Sequence, residues 1–270
     1  MIAITGKNGY ICTSLKNYFD KSGAEAECVD VRGNIAEDIF AGVDTVIHAA
    51  GIVHNKKADK ELYQKVNVGL TKKLAEFAKK NGVKHFVFFS SMSVFGMDEG
   101  EINKTAAPAP VSEYGKSKLA AEKILLGMQS DAFKITVLRP PIVYGKDCPG
   151  NYALLSKLVK FSPVFPLVDN KHSMIYIENL CACVDKILRE EITGVIHPQN
   201  KEYVNTSDMC ALIAEYSGKR LYLMRPLGKI ASNIKISAAK KAFGSLYYAE
   251  DISFSNDIYA FEDTIRLTEK

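Results

Sequence analysis

Short apolar runs alternate with longer helix-periodic segments through the first half of the chain. The apolar runs predict strands at 2–5, 26–31, 44–49, 85–90 and 134–139. Apolar residues at helical spacing predict helices at 10–22, 63–81 and 112–128. Only a short helix fits between Asp30 and Asp44. This alternation is typical of a parallel, doubly wound α/β sheet.

The pattern becomes less regular after Gly150. We expect helices at 151–160, 177–188 and 207–217, the last with Ser207 as N-cap, and a strand at 194–198. The predicted architecture is a Rossmann-like dinucleotide-binding domain over 1–150 and a small C-terminal α/β substrate lobe over 151–270. Without a linker or repeat between them, the lobe should pack on the first domain rather than fold independently.

A glycine-rich turn joins the first strand to the first helix. The run Thr5-Gly6-Lys7-Asn8-Gly9-Tyr10-Ile11-Cys12 lets the backbone approach a pyrophosphate at a helix N-terminus. An ordinary strand-to-helix turn is the alternative, but the position after the first strand favours nucleotide binding. Cys12 replaces the third expected glycine, so the helix is expected to shift slightly outward.

The end of the second strand bears on the choice of cofactor. Asp30 can accept hydrogen bonds from ribose hydroxyls, which favours NAD. Arg32 could instead meet the 2′-phosphate of NADP, or the two side chains could form a surface ion pair. The sequence therefore predicts NAD or NADP, with a preference for NAD.

Tyr114 and Lys118 lie four residues apart in the predicted helix 112–128. Residues at this spacing share a helix face, and a nearby ammonium lowers a phenol pKa from its usual value of about 10. Such a tyrosine can act as a general acid/base. The spacing also arises by chance, so its weight depends on the other motifs.

Two serines and an asparagine accompany this pair. Ser90 and Ser91 end a strand at the carboxyl edge of the sheet, where ligands bind. A serine there can hold a substrate oxygen, or it can simply cap the strand. Asn67 could join a polar network around Lys118 or be a satisfied buried amide.

Composition narrows the class of protein. The chain has 270 residues, 47% hydrophobic and 24% charged, with a net charge of +4. This charge suits an anionic small molecule and is too weak to indicate nucleic acid. No apolar run approaches the ~20 residues that span a bilayer, and the start lacks the basic segment of a signal peptide. Six scattered cysteines indicate reduced thiols without metal. We therefore expect a cytoplasmic enzyme.

Five motifs together resemble the extended short-chain dehydrogenase/reductases, the NAD-dependent epimerase/dehydratase group. They run in family order over residues 1–200: Thr-Gly-x-x-Gly-Tyr-Ile at 5–11, His-Ala-Ala-Gly at 48–51, Phe-Ser-Ser-Met-Ser-Val-Phe-Gly at 89–96, Tyr-Gly-Lys-Ser-Lys at 114–118 and Leu-Arg-Pro-Pro-Ile-Val-Tyr-Gly at 138–145. The resemblance implies an oxidoreductase that uses NAD(P) and acts on a nucleotide sugar. It is compatible with a homodimer.

The resemblance also implies roles for individual residues. Tyr114 matches the catalytic acid/base, Lys118 its partner, Ser91 the catalytic hydroxyl, and Ser93 a secondary candidate. Cofactor contacts are implied for the turn residues Gly6, Asn8, Gly9, Tyr10 and Ile11, for Asn34 and Ile35 beside the adenine, for Ala49, Ala50 and Gly51, and for Pro140 and Ile142. Tyr114 and Lys118 are also expected at the cofactor, with Lys118 touching the nicotinamide ribose. Asn67 and Ser90 are further candidates for cofactor contacts. Asn151 matches a sugar-nucleotide phosphate contact. In the second half, Arg225, His172 and Lys171 are further phosphate candidates, because a buried anion needs partners.

Three functions remain open at this point. A 4-epimerase would return the hydride to the opposite face of the sugar and keep its cofactor. A 4-keto-sugar reductase would release NAD(P)⁺ each turn, and the shortened segment after Asp30 resembles the dTDP-4-dehydrorhamnose reductases. A non-catalytic NAD(P)-binding sensor is the third reading, although both Tyr114 and Lys118 are present.

Overall fold

The computed structural model describes residues 1–53, 59–233 and 242–270. Within them, thirteen strands are β1 Ile2–Thr5, β2 Ala26–Val29, β3 Thr45–His48, β4 His85–Phe89, β5 Gly100–Ile102, β6 Lys134–Leu138, β7 Ile142–Tyr144, β8 Val164–Pro166, β9 Met174–Tyr176, β10 Gly194–Pro198, β11 Tyr222–Met224, β12 Leu246–Tyr248 and β13 Ser253–Phe254. The α-helices of the same residues are α1 Tyr10–Ser22, α2 Lys60–Tyr63, α3 Thr71–Lys80, α4 Glu113–Leu126, α5 Asn151–Phe161, α6 Ile177–Arg189, α7 Thr206–Tyr216, α8 Arg225–Asn233 and α9 Phe261–Glu269.

The chain divides into two compact units that alternate along the sequence. The first comprises Met1–Gly96, Ala107–Pro140 and Val184–His197. The second comprises Met97–Ala106, Pro141–Cys183 and Pro198–Lys270. The first unit thus includes a late segment, and the second begins earlier in the chain than the predicted boundary after Gly150.

The first unit is built on a parallel sheet in the order β10-β6-β4-β3-β1-β2. The chain leaves β1 for the edge strand β2 and then returns to the other side of β1 as β3. The carboxyl ends of β1 and β3 therefore flank a topological switch point, the place where such sheets bind ligands. The predicted Rossmann-like α/β fold is confirmed.

A core of buried apolar side chains holds the sheet of this unit against the helices α3 and α4. Phe86 and Phe88 of β4 and Val137 of β6 are fully buried with Leu74 of α3 and Leu125 of α4. Each such side chain stabilises the fold by about 1.5–3 kcal/mol when it is removed from water. The apolar runs that predicted the strands therefore correspond to the side chains that the strands bury in this core.

The short helix expected between Asp30 and Asp44 does not form. Residues 31–43 pass through turns instead. Val31, Ile35 and Phe40 still reach the core from these turns. Their burial satisfies the apolar pattern without a helix.

The second unit contains three parallel strand pairs, β5 with β12, β7 with β9 and β8 with β11. Its helix α7 corrects the predicted N-cap. Asn205, not Ser207, caps the helix, because its Oδ1 accepts from the backbone N–H groups of Ser207 and Asp208. The Ser207 hydroxyl instead donates to the carbonyls of Pro166 and Val168.

Candidate active site

The glycine turn after β1 has the geometry of a phosphate cradle. Gly6 has φ of +100°, and a Cβ there would lie 3.1 Å from the backbone nitrogen of Ala50. A Cβ on Gly9 would lie 2.8 Å from the Gly6 carbonyl oxygen. Gly9 is the N-cap of α1 and gives it no side-chain cap, so the first-turn N–H groups are available to an anion. These residues fit a dinucleotide pyrophosphate.

The other residues predicted to contact the cofactor here lie next to the two glycines or face them. Asn8 adopts φ of +69°, a left-handed conformation that asparagine tolerates. Tyr10 and Ile11 begin α1 and are half-buried. Ala49 and Ala50, from the segment after β3, form the wall that faces Gly6. The turn and this segment therefore meet at the switch point.

Cys12 fills the place of the third glycine at the contact between α1 and the sheet. Its thiol is fully buried, donates to the Ile4 carbonyl, and lies 2.8 Å from the Cys28 sulfur of β2. Burial raises the pKa of Cys12. All six cysteines are free thiols.

At the end of β2, Asp30 and Arg32 pair with each other. The Arg32 Nε donates to Asp30 Oδ1 over 2.9 Å, its Nη2 bonds Oδ2, and its backbone nitrogen also bonds Oδ1. The ion pair lowers the Asp30 pKa. This arrangement is the surface-pair alternative, while the ribose and 2′-phosphate roles stay predictions. Nearby, Asn34 is exposed and Ile35 packs in the core.

Tyr114 and Lys118 both lie on the buried face of α4. Ser112 caps this helix by accepting from the Gly115 N–H over 3.1 Å. The Lys118 Nζ lies 5.9 Å from the centre of the Tyr114 ring and donates to the Phe89 carbonyl over 2.8 Å. The predicted pair is therefore brought to the carboxyl end of β4.

Ser91 completes a cluster with this pair. Its side chain is hydrogen-bonded to Tyr114. Its Oγ also accepts from the Ser93 N–H and lies 3.1 Å from the Ser93 Oγ. Ser91 caps the short 3₁₀ turn Met92–Phe95, so the turn fixes the serine beside the phenol.

The expected lowering of the Tyr114 pKa by Lys118 is wrong for this structure. Burial raises the pKa of Tyr114 to about 12, although the hydrogen bond from Ser91 opposes the rise. Burial also lowers the pKa of Lys118 to about 8, against the opposing charge of Glu122. Desolvation disfavours the charged form of both groups and outweighs the attraction between an ammonium and a phenolate.

Asn67 lies in a π-helical segment, Gln64–Leu70, between α2 and α3. Its Oδ1 accepts from the Ile52 N–H, and its Nδ2 donates to the Ile52 carbonyl and to Ser117 Oγ. A Cβ on Gly51 would lie 3.1 Å from the Asn67 Oδ1 and 3.3 Å from the Lys118 Nζ. The asparagine thus ties the loop after β3 to α4, as a satisfied buried amide whose oxygen lies near Lys118.

Ser90 points away from this cluster into a buried ion pair. Its hydroxyl donates to Glu122, whose two oxygens also accept from Arg139 over 3.0 and 2.6 Å. Arg139 lies 5.1 Å from the centre of the Phe95 ring. The cofactor role of Ser90 stays a prediction, and its observed role is to anchor the end of β4.

The candidate substrate residues of the second half differ in exposure and in what they contact. Asn151 is exposed at the start of α5, and Arg225 is exposed at the start of α8. His172 is buried, its backbone pairs with Val204, and burial lowers its pKa. Lys171 places its ammonium 3.8 and 4.2 Å from the ring centres of Tyr203 and Tyr247.

The two remaining cofactor candidates lie near the start of β7. Pro140 is buried at the end of the first unit, and Ile142 is half-buried in β7. Substrate and cofactor contacts by these residues stay predictions.

Three participants were not predicted from the sequence: the Glu122 carboxylate, the Tyr63 ring and the Phe89 carbonyl. Glu122 follows Lys118 by one helical turn, and this spacing could have predicted that its carboxylate lies on the same buried face of α4. The Tyr63 ring lies 6.4 Å from that of Tyr114, and the electrostatic interaction between the two phenols adds to the rise of the Tyr114 pKa that burial causes. The Phe89 carbonyl carries no sequence signal, because every residue has one.

A family model described as the NAD dependent epimerase/dehydratase family matches residues 2–195. The chain belongs to this family. The membership confirms the resemblance predicted from the motifs and the expectation of an NAD-dependent enzyme. It also agrees with the cradle at Gly6 and Gly9, because such a fingerprint binds a dinucleotide.

Several family members resemble this one over most of its length. The UDP-glucose 4-epimerase of Vibrio cholerae is 32% identical over 231 residues, 73% of this chain and 67% of that one. The N-acetyl-alpha-D-glucosaminyl-diphospho-ditrans,octacis-undecaprenol 4-epimerase of Escherichia coli O157:H7 is 30% identical over 234 residues, 80% and 70% of the two chains. The Bacillus cereus UDP-glucuronic acid 4-epimerase, solved with NAD, has a similar fold, with a TM-score of 0.76 at 19% identity over 99% and 97%.

Among the described residues, no helix is both long enough and apolar enough to cross a membrane. Within the same ranges, no three His, Cys, Asp or Glu side chains are grouped in a way that could hold a metal ion.

Replacing Gly9 with alanine is expected to weaken NAD(H) binding roughly tenfold or more, about 1.4 kcal/mol, because the added Cβ would meet the Gly6 carbonyl and distort the cradle. Fluorescence titration with NADH measures the affinity. Gly127→Ala is the matched control, since a Cβ there would meet its nearest atoms at 3.4 Å, an ordinary contact. Equal affinities for the two variants would remove the turn from the cofactor site.

Proposed function

We propose that this family member is an NAD(P)-dependent 4-epimerase that acts at C4 of a nucleotide-activated sugar. The observation that carries the proposal is the cluster of Tyr114, Ser91 and Lys118 at the carboxyl end of β4, beside the switch point of the sheet. The two relatives that are 32% and 30% identical to this chain, both named as sugar 4-epimerases, support it.

The residues of the first unit have separate tasks in this proposal. Gly6, Gly9 and the first turn of α1 would hold the pyrophosphate, while Gly51 and Lys118 would lie along the rest of the dinucleotide. When bound, NAD(P) supplies the acceptor for the C4 hydride and, in the reverse direction, its donor. Lys118 keeps its ammonium in place by donating to the Phe89 carbonyl.

Tyr114 moves the proton of the sugar hydroxyl. In the oxidation, Tyr114 acts as the phenolate, which takes the proton of the C4 hydroxyl as the C4–H bond breaks and becomes the neutral phenol. In the reduction, the phenol returns a proton to the ketone oxygen and becomes the phenolate again. Ser91 holds that oxygen through its hydroxyl. A pKa of about 12 favours the protonated phenol at neutral pH, which is the donor in the reduction of a ketone, whereas the oxidation needs the phenolate. Both an epimerase and a reductase perform that reduction.

One observation keeps a 4-keto-sugar reductase as the second candidate. Residues 31–43 after β2 contain no helix, and a shortened segment there resembles the dTDP-4-dehydrorhamnose reductases. A reductase would bind NAD(P)H afresh for every turnover and release the oxidised form, whereas an epimerase retains its cofactor.

The group that carries the sugar is a separate question. One relative acts, by its name, on a sugar linked to undecaprenyl diphosphate, and the other on UDP-glucose. Both carriers present a diphosphate next to the sugar. Asn151 and Arg225 are exposed and are the candidates to bind that diphosphate, whereas the buried His172 is better placed to support the fold.

Purified protein is expected to carry bound NAD⁺ and to interconvert a UDP-hexose and its C4 epimer without added cofactor. Extraction of the nucleotide, followed by chromatography of UDP- and dTDP-sugars incubated with and without NADH or NADPH, makes the test. Stoichiometric consumption of NAD(P)H with a 4-keto sugar would replace the epimerase by the reductase. Bound dinucleotide without turnover of any nucleotide-linked or polyprenyl-diphosphate-linked sugar would favour the non-catalytic sensor.

A further inference from the structure

The second unit exposes an apolar face on α5. Leu154, Leu158 and Phe161 are 66%, 49% and 89% exposed. Their spacing places them on one side of the helix, while Tyr152 and Val159 on the other side are buried. Soluble monomeric proteins rarely expose three large apolar side chains together on one helix unless a partner covers them.

The strand pair β8 and β11 continues this apolar surface along the chain. Val164 and Tyr222 are directly paired in register and are both exposed, whereas Phe165 on the opposite face of β8 is buried. The Tyr222 N–H donates to the Pro163 carbonyl over 2.8 Å, and Ser162, which follows α5, is bonded to Val164. The helix end and the strand pair are therefore joined through Phe161–Val164.

The charged residues of the two segments that form this surface are all cationic. Residues 151–168 and 217–233 contain no Asp or Glu, although acidic residues make up 31 of the 270 in the chain. Their cations are Lys157, Lys160, Lys219, Arg220, Arg225 and Lys229. All six are exposed, and Lys160 also pairs with Glu269. Exposed apolar side chains among cations, without carboxylates, are typical of an interfacial membrane-binding segment.

We propose that this surface, formed by α5, β8 and β11, docks on an anionic lipid bilayer without crossing it. Phe161, Leu158 and Leu154 would enter the boundary between headgroups and acyl chains. The lysines and Arg220 would meet lipid phosphates, which attract cations near the membrane surface. A carboxylate on this surface would oppose docking, and these two segments have none. The proposal is independent of the epimerase reaction and of the group that carries the sugar.

The test is co-sedimentation of the full chain with vesicles of phosphatidylcholine alone and of phosphatidylcholine with an equal part of phosphatidylglycerol. We expect binding to the anionic vesicles at low salt, at least roughly tenfold weaker binding to the neutral ones, and loss of binding in high salt. Leu158→Ser with Phe161→Ser, and separately Lys157→Glu with Arg220→Glu, should each weaken binding roughly tenfold or more.

Val111→Ser is the matched control, because Val111 is 76% exposed and lies in the first unit, away from these segments in the chain. It should leave vesicle binding unchanged. Thermal unfolding of all variants shows that each is folded, as expected for substitutions of exposed side chains. Absence of binding to anionic vesicles, or equal binding by the Leu158/Phe161 variant, overturns the proposal. It is also overturned if light scattering shows a dimer that this variant dissociates, since the surface then joins two copies of the chain.

Discussion

Tyr114→Phe is expected to lower kcat by ~10² or more while the fold and the affinity for NAD(P) are retained. The variant removes only the phenol hydroxyl, whose contact is with Ser91, and leaves the ring buried in place. It therefore deletes the proton donor and acceptor without opening a cavity. Steady-state rates of sugar interconversion, together with NADH titration and circular dichroism, measure the three quantities.

Tyr63→Phe provides the control for this prediction. Tyr63 is also a buried tyrosine, and its ring lies 6.4 Å from that of Tyr114. Its hydroxyl has no proton-transfer role in the proposed reaction, so kcat should change by much less than in Tyr114→Phe. If the two variants turned over equally fast, Tyr114 would not be the acid/base, and the assignment of the cluster would fail.

Sequence patterning predicted the first unit well because its elements are long enough to show a period. Helix 10–22 and strand 194–198 were predicted with their observed bounds. The strands β5, β7, β8, β9, β11, β12 and β13 were not predicted, since two or three residues are too few to show alternation. The segment 31–43 shows the opposite error, in which a helix was predicted and none forms. Its apolar residues are buried in the core from turns, so their spacing does not require a helix.

The cluster of Tyr114, Lys118 and Ser91 was predictable because its parts are close in sequence or in topology. Tyr114 and Lys118 share one helix, and Ser91 follows the strand beside which that helix packs. Their pKa values were not predictable, since these depend on how deeply α4 is buried and on Tyr63, which is remote in sequence. Single candidates outside motifs, such as His172 and Arg225, had no second observation to support them.

The buried ion pair of Glu122 and Arg139 supports the carboxyl end of β4 through Ser90. Glu122 is 1% exposed, Arg139 is 8% exposed, and Ser90 adds a third contact next to Ser91. Removing one partner leaves the other charge buried and unpaired, which destabilises a protein by about 3–5 kcal/mol. Such a loss is a large part of the ~5–15 kcal/mol that stabilises a typical domain.

Glu122→Leu is therefore expected to lower the free energy of unfolding by about 3–5 kcal/mol, measured by urea denaturation. Glu122→Leu combined with Arg139→Met should recover most of that loss, because no charge is then left unpaired in the interior. Asp20→Asn, which breaks the exposed pair with Lys16, is the control and should have little effect. If Glu122→Leu were as stable as the control, or the double variant no better than the single one, the pair would not hold Ser90. The position of Ser91 beside Tyr114 would then depend on the 3₁₀ turn alone.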